Sequence, residues 1–449
     1  MPGTRQKYTG ATDMQNRTRQ ERHFDETERA LPTFSPLAPA APSPSDRARY
    51  LLSYLGRKNP LPRPITAEDT VWLLDNTAYR NARTGRWEAE FTAAAFSQHA
   101  SCAVVDAVAG VARLVGLGED DPDYPTVEER VCPFVRDVKP GARVKVLQAG
   151  RTPLKLGPGG RNGISTDVRT LPDDPDGAWA GALVPTFARV PKGADGILEM
   201  RTFFAGPEGW GVISDIDDTI KVTQTSDPVG ILRTTFLERP EACPGMPELY
   251  RAIASAISTG PAAGSGEGGG AAADDDDAGR ESPSPPPWFY LSASPYNLYP
   301  FLREFREQHF PHGTIILREA SWTSLPGLLT TLTVGTEDYK VAAMNKIRRW
   351  LPRRKMICVG DSTQSDPEAY GEIYRAHPGW VRLILIRKVE DIAALGIAAK
   401  NEPERFEKAF HDIPRGVWHV FTDPAECESI VRDAVAGVTG VAGVPGVAV

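Results

Sequence analysis

Beyond residue 206, short uninterrupted apolar runs alternate with stretches whose apolar positions recur at helical spacing. That alternation marks a parallel sheet with helices packed on its faces. It predicts strands at 211–214, 288–292, 314–317, 356–359 and 381–386. Helices are expected between them at 247–257, 299–309, 339–350 and 366–376. Residues 128–205 follow another rule: short alternating runs (ARVKVLQAG, GALVPTFARV, GILEMRTFF) broken by Gly and Pro, which predict a small antiparallel β-rich domain. Upstream, 46–127 reads as mainly helical. It opens with a short helix at 46–58 that puts Leu51, Leu52 and Leu55 on one face, and a longer Ala-rich helix begins at Trp87. Three stretches lack any period. Residues 1–45 are polar and then Pro/Ala/Ser-rich, 258–287 is Gly/Asp/Pro low complexity, and 435–449 is Gly/Val-rich. They are expected to be a disordered leader, a disordered insertion and a flexible tail.

Composition narrows this picture. The 449 residues suggest two or three domains, and 40 Pro with 41 Gly imply long irregular segments. A net charge of −7 argues against general nucleic-acid binding. The five cysteines (102, 132, 243, 358, 427) form no CxxC pair, and their odd number points to a reducing compartment rather than a disulfide framework. The N-terminus lacks an apolar signal core, and the most apolar stretch, 100–118, is interrupted by Asp106 and Arg113. A cytoplasmic chain is expected. The run Asp274, Asp275, Asp276, Asp277 reads as a solvated charge run rather than a metal site.

The candidate chemistry sits at strand ends. Asp215 and Asp217 close the first strand of the α/β region, and residues two apart project to one side. Two converging carboxylates repel unless a cation or a shared proton lies between them. With a divalent metal present, Asp215 can attack a phosphoryl group while Asp217 handles the leaving-group proton. The second strand ends in Ser292, with Ser294 as the alternate, placed to hydrogen-bond a phosphoryl oxygen or simply to make a turn. Lys340 either neutralises such a group or is a solvated helix lysine. Asp361 follows Gly360 at the end of the fourth strand, and Asp366 is either a further acidic group of the site or a helix N-cap. Asp218 is turned away by strand alternation. Hard oxygen donors of this kind suit Mg²⁺.

Strand–DxDxT, strand–Ser, Lys and GDx4D, in that order, resemble the four motifs of haloacid dehalogenase-type phosphohydrolases. More closely, DIDDTIKVT, YLSASPYNLYPFL and VGDSTQSDPEAYGEIY, with VWLLDNTAYRN and WEAEFTAAAFS upstream, resemble the fungal actin-patch-associated phosphatidate phosphatase family. The resemblance implies an α/β fold with a haloacid dehalogenase-like (Rossmann-like) parallel sheet and minimal cap over residues 206–425, preceded by the helical and β-rich regions. It implies Mg²⁺ held by Asp215, Asp217 through its backbone carbonyl, and Asp361, with Asp366 supporting the water shell. Asp215 would be the nucleophile, Asp217 the acid and then base, Ser292 and Lys340 the holders of the phosphate oxygens, and Thr219 a brace. The substrate would be phosphatidate at a membrane surface and the products diacylglycerol and phosphate. The implied setting is cytoplasmic with peripheral membrane association at actin cortical patches, with cortical actin or endocytic proteins met through Pro-rich segments.

Little chain separates the first two motifs apart from the insertion and one helix, so a largely open site is expected. Arg348, Arg349, Arg353, Arg354 and Lys355 form a basic cluster that either touches an anionic membrane or is a solvated helix end. Trp322 is either interfacial or part of the core. The competing functions are a phosphatase of the same fold acting on phosphoproteins or soluble esters, and a cortical scaffold.

Overall fold

The computed structural model describes residues 10–33, 48, 51–52, 55–100, 103–148, 153–172, 179–258, 285–318, 325–390 and 397–437. Six strands form a parallel sheet in the spatial order Thr314–Arg318, Trp288–Pro295, Trp210–Asp215, Lys355–Asp361, Val381–Arg387 and Trp418–Phe421. All five expected strands are present, and Trp418–Phe421 adds a four-residue edge strand whose apolar run is interrupted by His419. In chain order the sheet runs 3-2-1-4-5-6, so its direction of winding reverses between Trp210–Asp215 and Lys355–Asp361. A crevice opens at such a reversal, outside the carboxyl ends of the strands.

Strand parity builds the two faces. Val212, Tyr290, Ile357 and Leu383 point to one core with the helices Met246–Ser258, Tyr299–His309 and Cys427–Ala436. Ile213, Phe289, Cys358 and Ile384 point to the other, with Thr336–Trp350 and Asp366–Ala376. Burial on both faces is why these strands read as continuous apolar runs.

The upstream half departs from expectation. Residues 69–100 form strands, not helices: Asp69–Leu73, Asn76–Arg80 and Trp87–Ala100. They join an eleven-stranded mixed sheet that spans residues 63–205. The β-rich domain therefore begins far earlier than residue 128, and among the described residues its long helices are Ala103–Val115 and Tyr124–Val135. The sequence did contain the signal. Trp87, Ala89, Phe91 and Ala93 alternate inward while Glu88 and Glu90 stay half-buried. Alanine's helix preference was overridden by pairing on both sides, with Ala89 opposite Ala78 on one neighbour and Arg169 on the other.

The two sheets meet around a buried carboxylate. Asp75 accepts from the Arg201 backbone N–H at 2.9 Å and from the Arg306 guanidinium at 3.0 Å, and its own N–H donates to Tyr299 Oη at 2.7 Å. Arg306 also reaches the Gly313 carbonyl at 2.5 Å, and Thr77 pairs with Thr314 at 2.7 Å.

The N-terminal segment also differs from the disordered leader expected. Gly10–Glu21 and Phe24–Ala30 are helices, and Phe24 and Leu31 are buried against the body. Gln15 donates to Thr336 Oγ1 at 2.8 Å and Arg19 to Thr333 Oγ1 at 2.7 Å, tying these helices to the α/β unit. At the other end the last helix runs to Ala436, inside the expected tail, before Gly437 takes a left-handed conformation. Leu51 and Leu55, expected to share a packed face, are 67% and 49% exposed. Arg354 leaves the basic cluster altogether: it is buried and donates to the Gly206 carbonyl at 2.7 Å and the Trp210 carbonyl at 2.5 Å. The Pro-rich stretch 34–47, Trp322, the acidic run at 274–277, residues 438–449 and nearly all of the 258–287 insertion lie outside the described residues. No helix among the described residues is long and apolar enough to cross a membrane.

Candidate active site

Asp215 and Asp361 end the two strands that flank the reversal point, so topology alone brings them together. Asp366 arrives as the first residue of the helix Asp366–Ala376. Carboxylate oxygens of Asp215, Asp361 and Asp366 all lie within 4.8 Å of one another, and all three side chains are buried. Lys340, from the helix Thr336–Trp350, places Nζ 2.7 Å from Asp215 Oδ1 and 2.5 Å from Asp366 Oδ1. Its role as a solvated helix lysine is therefore excluded, since the side chain is fully buried.

Asp366 does not act as an N-cap. Its second oxygen accepts from the Asp361 backbone N–H at 3.1 Å, and Ser365 occupies the cap position. The carboxyl lies across Gly360, where an added Cβ would meet Asp366 Cβ at 2.6 Å. Gly360 is thus required for close approach. Thr219 donates to Asp361 Oδ2 at 3.0 Å and sits 3.5 Å from Asp215 Oδ2, while Thr363 donates to Asp361 Oδ1 through its backbone N–H at 2.6 Å and through its hydroxyl.

Asp217 points elsewhere. Ser292 Oγ donates to its Oδ2 at 2.6 Å and Thr223 Oγ1 to its Oδ1 at 2.9 Å. Ser292 is thus engaged with the second carboxylate, whereas the hydroxyl of Ser294, equally buried, has no protein partner among the described residues.

Burial and unbalanced charge set the electrostatics. Desolvation pushes the Asp215 carboxyl well above the carboxylate range, against the pull of Lys340 and with the help of Asp366 and Asp361. Desolvation, then Asp366, push Asp361 up to about 6. Burial works to lower the Lys340 ammonium, but Asp215, Asp366 and Asp361 together hold it above its ordinary value. Three carboxylates facing one ammonium leave uncompensated negative charge in a dry place, which is costly unless a cation joins it. The donor set is all hard oxygen and its residues fit Mg²⁺.

The expected open access is not found. Asp215, Asp217, Ser292, Lys340, Asp361 and Asp366 are each no more than 3% exposed. The N-terminal helices pack at this edge, where Gln15 meets Thr336 and Thr336 Oγ1 pairs with Ser365 Oγ at 2.7 Å.

Every residue named in this cluster falls within one stretch of the chain. Residues 210–388 match the family model of the phosphatidate phosphatase APP1 catalytic domain. A curated relative, phosphatidate phosphatase APP1 of Saccharomyces cerevisiae, is 28% identical over 187 residues, which is 41% of this chain and 27% of the relative. The chain thus matches about a quarter of that relative's length. The family resemblance read from the sequence holds over this segment.

Within the APP1-like segment, several residues that sequence reasoning passed over hold the site together. Asp218, left without a role above, adopts φ 61 and accepts from the backbone N–H groups of Thr223, Gln224 and Thr225 at 2.9, 2.7 and 2.7 Å. It also accepts from Thr225 Oγ1 at 2.6 Å, and Thr225 pairs with Thr363 at 3.0 Å. Asp218 therefore folds the loop after the first motif against the loop that holds Asp361. Alternation failed to reveal this because the strand ends at Asp215 and residue 218 no longer obeys its parity. Arg387 donates to the Asp218 carbonyl at 2.9 Å. Lys221 is buried, donates to Thr223 Oγ1 at 3.0 Å, and is pushed down by desolvation. Outside the segment, Arg405 pairs with Glu368 and reaches the Ser362 and Gln364 carbonyls at 2.5 Å each. No local pattern marks these residues; only the fold brings them in.

Proposed function

We propose that this protein is a Mg²⁺-dependent phosphatidate phosphatase with a haloacid dehalogenase-like catalytic unit. The observation that carries the reading is that the APP1 catalytic-domain match contains the whole Asp215, Asp217, Ser292, Lys340, Asp361 and Asp366 constellation. In the proposed reaction an Asp215 carboxylate oxygen bonds to phosphorus while the ester P–O bond breaks, its electron pair leaving with the alcohol oxygen. Asp217, oriented by Ser292 and Thr223, gives that oxygen a proton. Asp217 then takes a proton from water, whose oxygen attacks phosphorus and releases Asp215 with inorganic phosphate. Lys340 fixes Asp215 and opposes the charge that gathers on the transferring oxygens. Asp215, Asp361 and Asp366 would hold Mg²⁺, which supplies positive charge for bringing an anionic nucleophile to an anionic ester. Ser294, with its unpartnered hydroxyl, is available to a phosphate oxygen.

The substrate in this reading is a phosphate monoester displayed by a membrane lipid, reached by reversible, peripheral binding from the cytoplasm. The deciding assay is phosphate release from phosphatidate in detergent micelles with and without Mg²⁺. Release only with the metal is expected. Turnover of soluble esters with none of phosphatidate would transfer the assignment to a soluble-substrate phosphatase.

A further inference from the structure

A narrow cleft separates the N-terminal helix Gly10–Glu21 from the loops that carry the site. Its walls include Thr18 and Arg19 on one side and Thr225, Thr363, Gln364 and Lys400 on the other. Three properties set it apart from ordinary packing. Gln364 is 4% exposed, yet neither its Oε1 nor its Nε2 has a hydrogen-bond partner among the described residues. Lys400, 5% exposed, places Nζ 3.0 Å from Ser226 Oγ and has further donor capacity. The cleft adjoins the catalytic loops directly, because Thr225 pairs with Thr363 at 3.0 Å and Thr363 holds Asp361.

A buried amide and a buried ammonium short of partners cost free energy, and such groups are kept where a ligand or water satisfies them. Desolvation lowers the Lys400 ammonium to about 8, so it remains mostly cationic at neutral pH. The amide Nε2 and the cation offer hydrogen-bond donation beside the reacting centre, and the amide Oε1 is left to a water. A diacylglycerol leaving group bears ester oxygens that accept and, apart from the oxygen being released, no donor. We propose that this cleft is the subsite for the leaving alcohol, in which Gln364 Nε2 and Lys400 Nζ donate to the ester oxygens next to the scissile bond. The inference rests on the phosphatidate reading and extends it to residues outside it, since Lys400 lies beyond the APP1-like segment. The helix Gly10–Glu21 is the wall that yields on binding: the cleft as it stands has about 10 Å³ of room, enough for roughly one water.

The test compares kcat/KM for dioctanoyl phosphatidate with that for p-nitrophenyl phosphate, whose leaving group has no ester oxygens. In Gln364→Leu and in Lys400→Met the ratio of the two is expected to fall tenfold or more, chiefly through KM for the lipid. The thermal midpoint of Gln364→Leu should not drop, because the amide it removes has no protein partner to lose. A ratio unchanged in both variants overturns the subsite, as does a fall in both substrates together. Wild-type protein active on p-nitrophenyl phosphate but not on phosphatidate removes the lipid reading and this ligand with it. Should neither ester turn over, calorimetric binding of dioctanoyl phosphatidate supplies the comparison, and equal Kd in wild type and variants overturns the proposal.

Discussion

The two sheets of this protein bury polar groups for different ends. In the six-stranded parallel sheet, the buried carboxylates gather at one edge around Lys340, and desolvation, helped by neighbouring negative charge, raises the proton affinity of Asp215 and Asp361. In the seam between the two sheets, Asp75 is as deeply buried but its carboxylate is matched by Arg306, Arg303 and the Arg201 N–H. One region stores unbalanced charge; the other cancels it. A buried charge that is fully paired holds structure in place, and one that is over-supplied with its own sign is a site awaiting a cation or a reaction.

Substitutions can break this contrast. Asp215→Asn removes the nucleophile and should cut turnover by about 10⁴-fold or more. Its far-ultraviolet circular dichroism should match wild type, since the change removes a charge from an over-charged cluster. Retained turnover would identify another nucleophile. At the seam the expectation inverts: Arg306→Leu removes the closer of the two guanidiniums paired with Asp75, leaving Arg303 at 3.4 Å, and should cost about 3 kcal/mol of stability by urea denaturation. A loss below about 1 kcal/mol there would show that the seam is not the matched network described. Gly360→Ala drives a methyl into the Asp366 carboxyl and should cost about 1–3 kcal/mol, with activity falling alongside because Asp366 anchors Lys340.

Acidity gives a subtler test. The Asp361 carboxyl of the metal-free protein titrates near 6, above its ordinary 3.8, so the folded state holds a proton that the unfolded state has released between those values. Its contribution to stability is therefore fully present below about pH 4 and is lost as pH rises through about 6. Mg²⁺ competes for the same oxygens, so its affinity should run the opposite way, weakening by at least about tenfold for each pH unit below 6, since Asp215, whose carboxyl is also raised, must shed a proton too. Calorimetric Mg²⁺ titrations at pH 5 and 7.5 check this; equal affinities would mean that Asp361 is not a ligand. The smallest effect is expected at the surface. Arg353→Ala breaks an exposed pair with Glu208 and should change the unfolding free energy by no more than about 0.5 kcal/mol.

How far the chain could be read without its structure differs between the same regions. The parallel unit was legible because a strand buried on both faces is apolar throughout, and because Asp215 and Asp361 end strands, Asp217 follows the first of them and Asp366 starts a helix. The mixed sheet was not. Its central strand Trp87–Ala100 is built largely of alanine and glutamate, residues with helix propensity, and only pairing on both sides makes it extended. The N-terminal helices were missed for a related reason: they are polar nearly throughout, and their buried positions Gln15, Thr18 and Phe24 include one apolar residue, too few to make a periodic apolar face.

Local sequence determined the order of motifs and the residue types at the strand ends, since these need only strand periodicity and short-range turn chemistry. It thereby determined which carboxylates the chain offers to chemistry. Tertiary structure alone decided how they are used. It set Asp366 across Gly360, turned Asp217 toward Ser292 and Thr223, gave Asp218 a loop to hold, and closed the edge with helices some 300 residues away in sequence, as in the contact between Gln15 and Thr336. The physical reason is range. Periodicity reports what one segment buries, whereas charge balance, access and hydrogen-bond completion depend on which distant segments the fold brings alongside it.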